Sequence, residues 1–243
     1  MSILVSDYDG TFANGKSNIR INCAAVSEFI KKGNIFVLSS GRSYESLTRK
    51  VEEHDIPYNF LACADGNYLF DENGNLLLSS KMDREILPKV DRLRSIKGYE
   101  RVDYAYERKY SKEYDAQENI GSLAFIFKKP NVTNEFRDEF ERIKQENPSY
   151  DYSVYGYNDE EYFMIKPRSV SKASPIVYLE KKLSLPKSEI FTVGDALNDL
   201  EMIRDYNGFV IGDNPELKKV ALGSYESVHK LIDDIERRKV KRR

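Results

Sequence analysis

The segment Ile3–Thr11, with the sequence ILVSDYDGT, is the most informative stretch of this sequence about its fold. Its apolar, β-branched start is typical of a buried parallel strand, and Asp7 and Asp9 follow at the carboxyl end of that strand. Residues two apart on an extended chain point the same way and lie roughly 7 Å apart, so both carboxylates are predicted to face one small volume. Without a cation they would repel each other. Ordinary turn residues are the alternative interpretation, because Asp-Gly is a common turn dipeptide.

The residues that follow predict an alternation of helices and strands. Ile19–Lys32 carries apolar residues at helical spacing and stops at Gly33, and NIFVLSS then reads as a second buried strand. Ser43 is expected to cap a second helix, and a third strand follows through Phe60. Strand, helix, strand, helix, strand is typical of a doubly wound, Rossmann-like parallel sheet in an α/β protein. A hairpin turn is predicted in DENGN, after the third strand.

From Asp83 the pattern changes to helix-strand-strand, repeated twice, which indicates an α+β unit with an antiparallel sheet. The strand-helix alternation then resumes with a helix predicted from Lys172 to Leu183. We therefore predict a core formed by residues 1–80 and 167–243, with residues 81–166 inserted as a second domain. Ten of the 17 tyrosines fall between Tyr99 and Tyr162. We interpret them first as strand formers, with a sugar pocket as the alternative.

The composition excludes several classes of protein. A formal net charge of −2 over 243 residues argues against a general nucleic-acid binder. Cys23 and Cys63 are too few for a disulfide framework or a thiolate metal site, so reduced thiols are expected. No apolar run approaches the roughly 18 residues of a membrane span, and no basic leader precedes the first strand. We expect a cytoplasmic protein with no membrane partner, and we interpret the basic tail ERRKVKRR as a solvated helix end.

Three later segments supply partners for the first two acids. Ser40 and Gly41 follow the second strand, Lys172 stands at a helix start, and Asp195 crowds another strand end together with Asp199. The carboxyl ends of the strands in an open α/β sheet line the crevice where ligands bind. A hydroxyl and backbone N–H groups before a helix suit a phosphate, and a cluster of acids suits Mg²⁺.

These segments also resemble a known family. DYDGT, SSGR, Lys172 and GDALND are similar to the four motifs of the haloacid dehalogenase-like hydrolases. The stretch between the second and third motifs resembles the type 2 cap of the Cof-like branch, subclass IIB, many of whose members act on small phosphorylated metabolites. CADGNYLFDENG resembles that branch as well, although Asp65 stands where those sequences usually carry Asn. Ser40 replaces a commoner Thr and keeps the hydroxyl.

The resemblance implies a Mg²⁺-dependent phosphatase that hydrolyses a small phosphorylated metabolite, such as a sugar phosphate. Asp7 would attack phosphorus and form an aspartyl-phosphate, and Asp9 would protonate the leaving oxygen and then activate water. Mg²⁺ would be held by Asp7, by the backbone carbonyl of Asp9 and by Asp195, with Asp199 holding its waters.

The resemblance implies further roles in holding the phosphoryl group. Ser40, the Gly41 amide and the catalytic Lys172 would bind its oxygens, and Asn198 would support them with a hydrogen bond. A phosphomutase of the same superfamily remains an alternative, because it uses the same motifs. A non-catalytic phospho-binding regulatory protein is a second alternative, although it would not need so long an insert. The sequence indicates neither the physiological substrate nor the oligomeric state.

Overall fold

A computed structural model describes the backbone of residues 1–242 and their side chains, except those of residues 17, 157 and 238–242. The chain divides into two compact units. The first comprises Met1–Leu78 and the residues from Ser171 onward, and the second comprises Ser79–Val170. The predicted insert, residues 81–166, starts two residues later (81 against 79) and ends four residues earlier (166 against 170) than this second unit. From residue 238 onward, the basic tail lies outside the described side chains.

The first part of the chain alternates strands and helices and ends in a hairpin. Helix formation follows local signals: the Ser43 side chain accepts a hydrogen bond from the backbone N–H of Ser46 and caps the second helix. The first helix begins at Lys16, before the predicted Ile19. In chain order the elements are β1 (Ile3–Asp7), α1 (Lys16–Lys31), β2 (Ile35–Ser39), α2 (Tyr44–His54), β3 (Phe60–Cys63), β4 (Tyr68–Asp71) and β5 (Leu76–Ser79).

The inserted unit is the predicted α+β arrangement. Its strands form an antiparallel sheet, and one predicted strand, RVDYAYERKY, is in fact two short strands. The reason is a tight turn closed by a hydrogen bond from the N–H of Tyr106 to the carbonyl of Lys109. In chain order the elements are α3 (Leu87–Ser95), β6 (Arg101–Ala105), β7 (Tyr110–Ser111), β8 (Ser122–Lys128), α4 (Asn134–Glu146), β9 (Tyr150–Tyr157) and β10 (Glu160–Pro167).

Aromatic side chains fill the core of this unit. Phe127 of β8 and Phe163 of β10 meet Phe136 of α4 edge-on, with ring centroids 4.6 and 5.1 Å apart. Each such pair stabilises the fold by roughly 0.5–1.5 kcal/mol beyond the effect of burying its two rings. Tyr104 and Tyr106 belong to the same core and are only 3% and 2% exposed. These two tyrosines are therefore packing residues, as the strand-former interpretation predicts.

After the insert, the chain returns to the first unit and resumes its alternation. The helix predicted from Lys172 begins at Ser174, and Pro175 lies in its first turn. The predicted helix NPELKKVAL is helical only at its start, and a short strand that the sequence pattern did not reveal follows it. In chain order the elements are α5 (Ser174–Leu183), β11 (Ile190–Gly194), α6 (Leu200–Asp205), β12 (Asn207–Ile211), α7 (Pro215–Lys218), β13 (Gly223–Tyr225) and α8 (Val228–Arg242).

The strand order puts β1 at the centre of the first unit. Within the described chain, the sheet runs β13-β12-β11-β1-β2-β3-β4-β5, and every pair from β13 to β3 is parallel. From β1 the chain continues to β2 and then β3 on one side. After the insert it returns to β11 and then β12 on the other side of β1. Ligands bind at the carboxyl ends of the strands where the winding of such a sheet reverses direction. Asp7, the last residue of β1, lies at that point, which confirms the predicted doubly wound α/β fold.

The cysteines and the helices of the described chain concern two classes of protein considered above, disulfide-rich proteins and membrane-spanning proteins. Cys23 is half-buried, Cys63 is buried, and neither forms a disulfide. Burial raises the pKa of the Cys23 thiol to about 11, so it is protonated at neutral pH. Within residues 1–242, no helix combines the length and the apolar character that crossing a bilayer requires.

Candidate active site

Asp7 and Lys172 form the centre of the site. The Asp7 side chain is 6% exposed at the end of β1, and its Oδ1 accepts a hydrogen bond from Lys172 Nζ at 2.6 Å. Lys172 lies just before α5, and its side chain is 1% exposed. The other oxygen of Asp7, Oδ2, is buried and has no hydrogen-bond partner among the described residues. An unpaired buried carboxylate oxygen is costly unless a cation or a ligand binds it.

Asp199 ties Lys172 to the loop after β11. Its Oδ1 accepts from Lys172 Nζ at 2.7 Å, and its Oδ2 accepts from the backbone N–H groups of Asp195 and Ala196 at 3.0 and 3.1 Å. The Asp199 carboxylate needs the space above Gly194, because a Cβ there would lie 2.4 Å from it. Asp199 is fully buried and engages both oxygens with the protein, so it fixes the position of the lysine.

Asp195 is held by two side chains, one in the loop after β1 and one at the start of α7. Its Oδ1 accepts from Thr11 Oγ1 at 2.6 Å, and its backbone carbonyl accepts from Asn214 Nδ2 at 3.1 Å. A Cβ on Gly10, whose φ is +85°, would lie 2.4 Å from Asp195 Oδ2. The sequence prediction gave no role to Thr11. Its place in DYDGT was the available signal, but its partner is 184 residues away along the chain.

The charges at this centre call for a cation. One carboxylate oxygen from each of Asp7, Asp195 and Asp199 lies within 4.8 Å of the others. Burial raises the pKa of Asp7 well above its ordinary value, and burial also raises the pKa of Asp195. Burial opposes the charge of Lys172, but Asp199 and Asp7 together raise its pKa. Three acids around one lysine, with an unpaired oxygen on Asp7, fit a hard divalent ion with oxygen ligands.

Asp9 has a different cationic partner from Asp7, and the extended backbone that the prediction assumed ends at Asp7. Its side chain is 53% exposed and forms an ion pair with Arg42, whereas Asp7 is turned inward to Lys172. The reason is that the chain bends sharply after β1: the N–H of Phe12 donates to the carbonyl of Asp7 at 3.1 Å. Each acid therefore has a separate protein cation.

The predicted phosphate-binding residues form the next part of the site. Ser40 is buried after β2, and its Oγ lies 3.4 Å from Asp9 Oδ2. Asn198 is exposed and donates from Nδ2 to Asp65 Oδ1 at 2.9 Å. The Asp65 carboxylate lies above Gly41, where a Cβ would be 3.2 Å from its Oδ2. Asp65 thus lies beside Gly41 and accepts a hydrogen bond from Asn198, an arrangement that the sequence prediction did not include.

A close backbone approach sets the position of Lys172. Gly66 has φ +92°, and a Cβ there would lie 1.9 Å from the carbonyl oxygen of Ser171. Gly66→Ala is therefore expected to destabilise the fold by at least about 2 kcal/mol and to lower activity, because the backbone beside Lys172 must move. Gly33→Ala is the matched control, since Gly33 also has a positive φ but no atom lies within 4 Å of the added Cβ. Thermal denaturation and turnover should be compared, and equal losses in both variants would contradict the importance of the Ser171 contact.

The sequence matches a known family over most of its length. The model of the haloacid dehalogenase-like hydrolases matches residues 4–106 and 91–230. A proposed phosphatase of Streptococcus pyogenes serotype M6 is 24% identical over 254 residues, covering 91% of each chain. A 5-amino-6-(5-phospho-D-ribitylamino)uracil phosphatase of Bacillus subtilis is 23% identical over 226 residues, covering 90% of this chain and 87% of the relative.

Solved structures share the fold of the whole chain. A haloacid dehalogenase-like hydrolase from Bacillus subtilis superposes with a TM-score of 0.77 at 16% identity, covering 96% of this chain and 99% of the other. The subclass IIB sugar phosphatase BT4131 superposes with a TM-score of 0.75 at 14% identity, covering 97% and 99%. The family match and the shared fold confirm the resemblance seen in the sequence motifs: the chain belongs to the haloacid dehalogenase-like hydrolases and has the fold of their subclass IIB.

Proposed function

We propose that this protein is a Mg²⁺-dependent phosphatase that hydrolyses a small phosphorylated metabolite through an aspartyl-phosphate on Asp7. The observation that carries the proposal is the state of the Asp7 carboxylate: one oxygen is bound by Lys172, and the other is buried and unpaired among residues 1–242. A desolvated carboxylate beside a cation is a suitable nucleophile for phosphorus. Two similar proteins, one acting on a phosphorylated uracil derivative and one described as a sugar phosphatase, support the phosphatase reaction.

The reaction proceeds in two steps. The Asp7 carboxylate attacks phosphorus, and the bond between phosphorus and the ester oxygen breaks while Asp9 donates a proton to that oxygen. Asp9, now ionised, then removes a proton from water, which attacks phosphorus and releases inorganic phosphate and the free Asp7 carboxylate. Asp9 suits both tasks because its side chain is half exposed and can exchange protons with solvent.

The remaining residues stabilise charge on the phosphoryl group. Lys172 is held by two carboxylates at 2.6 and 2.7 Å, which fixes its ammonium group before substrate binds. The hydroxyl of Ser40 and the amide of Gly41 are proposed to donate to phosphoryl oxygens. Asp7, Asp195 and the carbonyl of Asp9 would hold the Mg²⁺ ion, supported by Asp199. When bound, the ion supplies positive charge that offsets the negative charge of the phosphoryl oxygens.

We further propose that the inserted unit selects the substrate and that sugar phosphates are the preferred class. The sheet of this unit has one face packed against α3 and α4, and the other face carries a row of paired residues. The strand register aligns Arg101, Ile126, Tyr162 and Tyr155 in this row. The rings of Tyr155 and Tyr162 are stacked with centroids 5.1 Å apart, and Arg101 pairs with Glu160 at 2.6 Å. Aromatic rings beside fixed polar groups suit the alternating apolar and hydroxyl faces of a sugar.

The test is kcat/KM across a panel of phosphorylated metabolites and phosphopeptides, measured with Mg²⁺. Sugar phosphates should rank above phosphopeptides. Tyr155→Ala should change the ranking of metabolites while leaving hydrolysis of acetyl phosphate within about twofold, because acetyl phosphate offers little leaving group to recognise. Tyr104→Phe is the matched control from the core of the same unit. The side chain of Tyr157 lies outside the described residues, so Tyr155 is the variant of choice.

Two results would contradict this proposal at different levels. An unchanged ranking in Tyr155→Ala would remove the tyrosine from substrate selection. A phosphopeptide that outcompetes every metabolite would contradict the proposed substrate class itself.

A further inference from the structure

The guanidinium group of Arg42 is held by contacts to three neighbouring residues. Its Nε donates to Asp9 Oδ2 at 2.8 Å, and its Nη2 donates to Asp9 Oδ1 at 2.7 Å. Its Nη1 donates to Ser46 Oγ at 3.3 Å, and the group lies 5.6 Å from the centroid of the Tyr8 ring. Paired parallel hydrogen bonds of this kind fix the plane of a carboxylate as well as its position.

The backbone that carries Arg42 is fixed as well. Its N–H donates to Ser40 Oγ at 3.2 Å, and its carbonyl accepts from the N–H of Ala64 at 2.8 Å. The next residue, Ser43, caps α2. Arg42 therefore connects Asp9 to β2, to the turn after β3 and to the start of α2. A side chain on such a support holds its partner more firmly than one on a mobile loop.

We propose that Arg42 is the positioning residue for Asp9 in the phosphatase reaction proposed above, on which this inference rests. Asp9 is half exposed and lies in a bend, so without Arg42 its carboxylate would sample several rotamers. The paired hydrogen bonds select one of them. Proton transfer requires the carboxylate to be within hydrogen-bond reach of the reacting oxygen, so a loss of orientation lowers the rate of the steps that use Asp9.

This role predicts a dependence on the leaving group. An alkyl phosphate releases a strongly basic alkoxide and needs the proton from Asp9, whereas acetyl phosphate releases acetate and does not. Because kcat/KM covers the steps up to release of the leaving group, loss of Arg42 should lower it much more for the alkyl ester than for acetyl phosphate. Hydrolysis of the aspartyl-phosphate also uses Asp9 and is common to both substrates. A group that merely bound the phosphoryl oxygens would affect kcat/KM for both substrates equally.

The experiment compares Arg42→Gln, Arg42→Lys, Asp9→Asn and the double variant Asp9→Asn/Arg42→Gln, each with acetyl phosphate and with an alkyl phosphate that the wild type hydrolyses. Arg42→Gln is expected to lower kcat/KM by about 10- to 100-fold for the alkyl phosphate and by less than about threefold for acetyl phosphate. Arg42→Lys should resemble Arg42→Gln, because a single ammonium cannot bind both oxygens in one plane. The double variant should be no slower than Asp9→Asn by more than about twofold.

Arg49→Gln is the matched control, since Arg49 is an exposed arginine of α2. Thermal denaturation of each variant separates unfolding from misorientation. An equal loss of kcat/KM for both substrates, full activity in Arg42→Lys, or additive losses in the double variant would overturn the positioning role. Unchanged turnover of the alkyl phosphate by Asp9→Asn would instead contradict the proposed function, whatever the Arg42 variants do.

Discussion

Replacing Asp7 by Asn is expected to lower turnover of every phosphorylated substrate, esters and acyl phosphates alike, by at least about 10³-fold while the protein stays folded. Asn keeps the shape of the side chain but cannot attack phosphorus. The fold should tolerate the change because Lys172 keeps its second partner, Asp199, at 2.7 Å. Burial also raises the pKa of Asp7, so a neutral side chain is expected to be tolerated at this position. The measurement is kcat with acetyl phosphate, together with the melting temperature.

Asp205→Asn is the control for this variant. Asp205 pairs with Arg204 on the surface, at 2.7 Å, so its neutralisation should leave turnover unchanged. Near wild-type turnover in purified Asp7→Asn, with contaminating phosphatase excluded, would contradict the nucleophile assignment.

Removal of divalent ions is expected to lower activity to the background of the assay, and Mg²⁺ should restore it. The reason is that Asp7, Asp195 and Asp199 offer carboxylate oxygens within 4.8 Å of one another around a single lysine. Burial raises the pKa of Asp7 and of Asp195, so protons compete with the ion. The affinity for Mg²⁺ should therefore weaken as the pH falls through these raised pKa values and strengthen as it rises. The shift of melting temperature with Mg²⁺ concentration, repeated at several pH values, measures this without an activity assay.

Asp195→Asn should weaken Mg²⁺ binding, whereas the exposed acid Asp213 supplies the control Asp213→Asn. Full activity in chelator-treated, metal-free enzyme would contradict the role of the cation. A metal affinity independent of pH would contradict the competition between protons and the ion.

The sequence allowed the architecture to be predicted because its hydrophobic runs are local signals. The helix after Ser43 begins where predicted, since a cap acts within one turn. The strand Gly223–Tyr225 was missed because three residues are too few to show a periodic pattern. The hairpin turn at Tyr106 was missed for a different reason: the residues on both sides have high β-propensity, so they were predicted as one continuous strand.

The sequence predicted which residues form the candidate site, but it did not indicate how their side chains pair. The family resemblance predicted roles for Asp7, Asp9 and Lys172, but extended geometry did not reveal that the two acids pair with different cations. Their separation depends on the bend after β1, and Asp9 finds its partner Arg42 33 residues later. A contact between Asp65 and Asn198, 133 residues apart, is equally invisible to a local pattern.

The aspartyl-phosphate can be trapped in a variant that forms it but hydrolyses it slowly. Asp9→Asn should still form the aspartyl-phosphate from acetyl phosphate, which needs no proton donor, but should hydrolyse it slowly because the general base is missing. Rapid acid quenching, proteolysis and mass spectrometry would then locate the phosphoryl group. One phosphoryl group is expected to accumulate on Asp7 in Asp9→Asn and to be absent from Asp7→Asn treated in the same way. Phosphorylation of another residue, or phosphate release with no covalent phosphoryl group at any time, would contradict the proposed aspartyl-phosphate on Asp7.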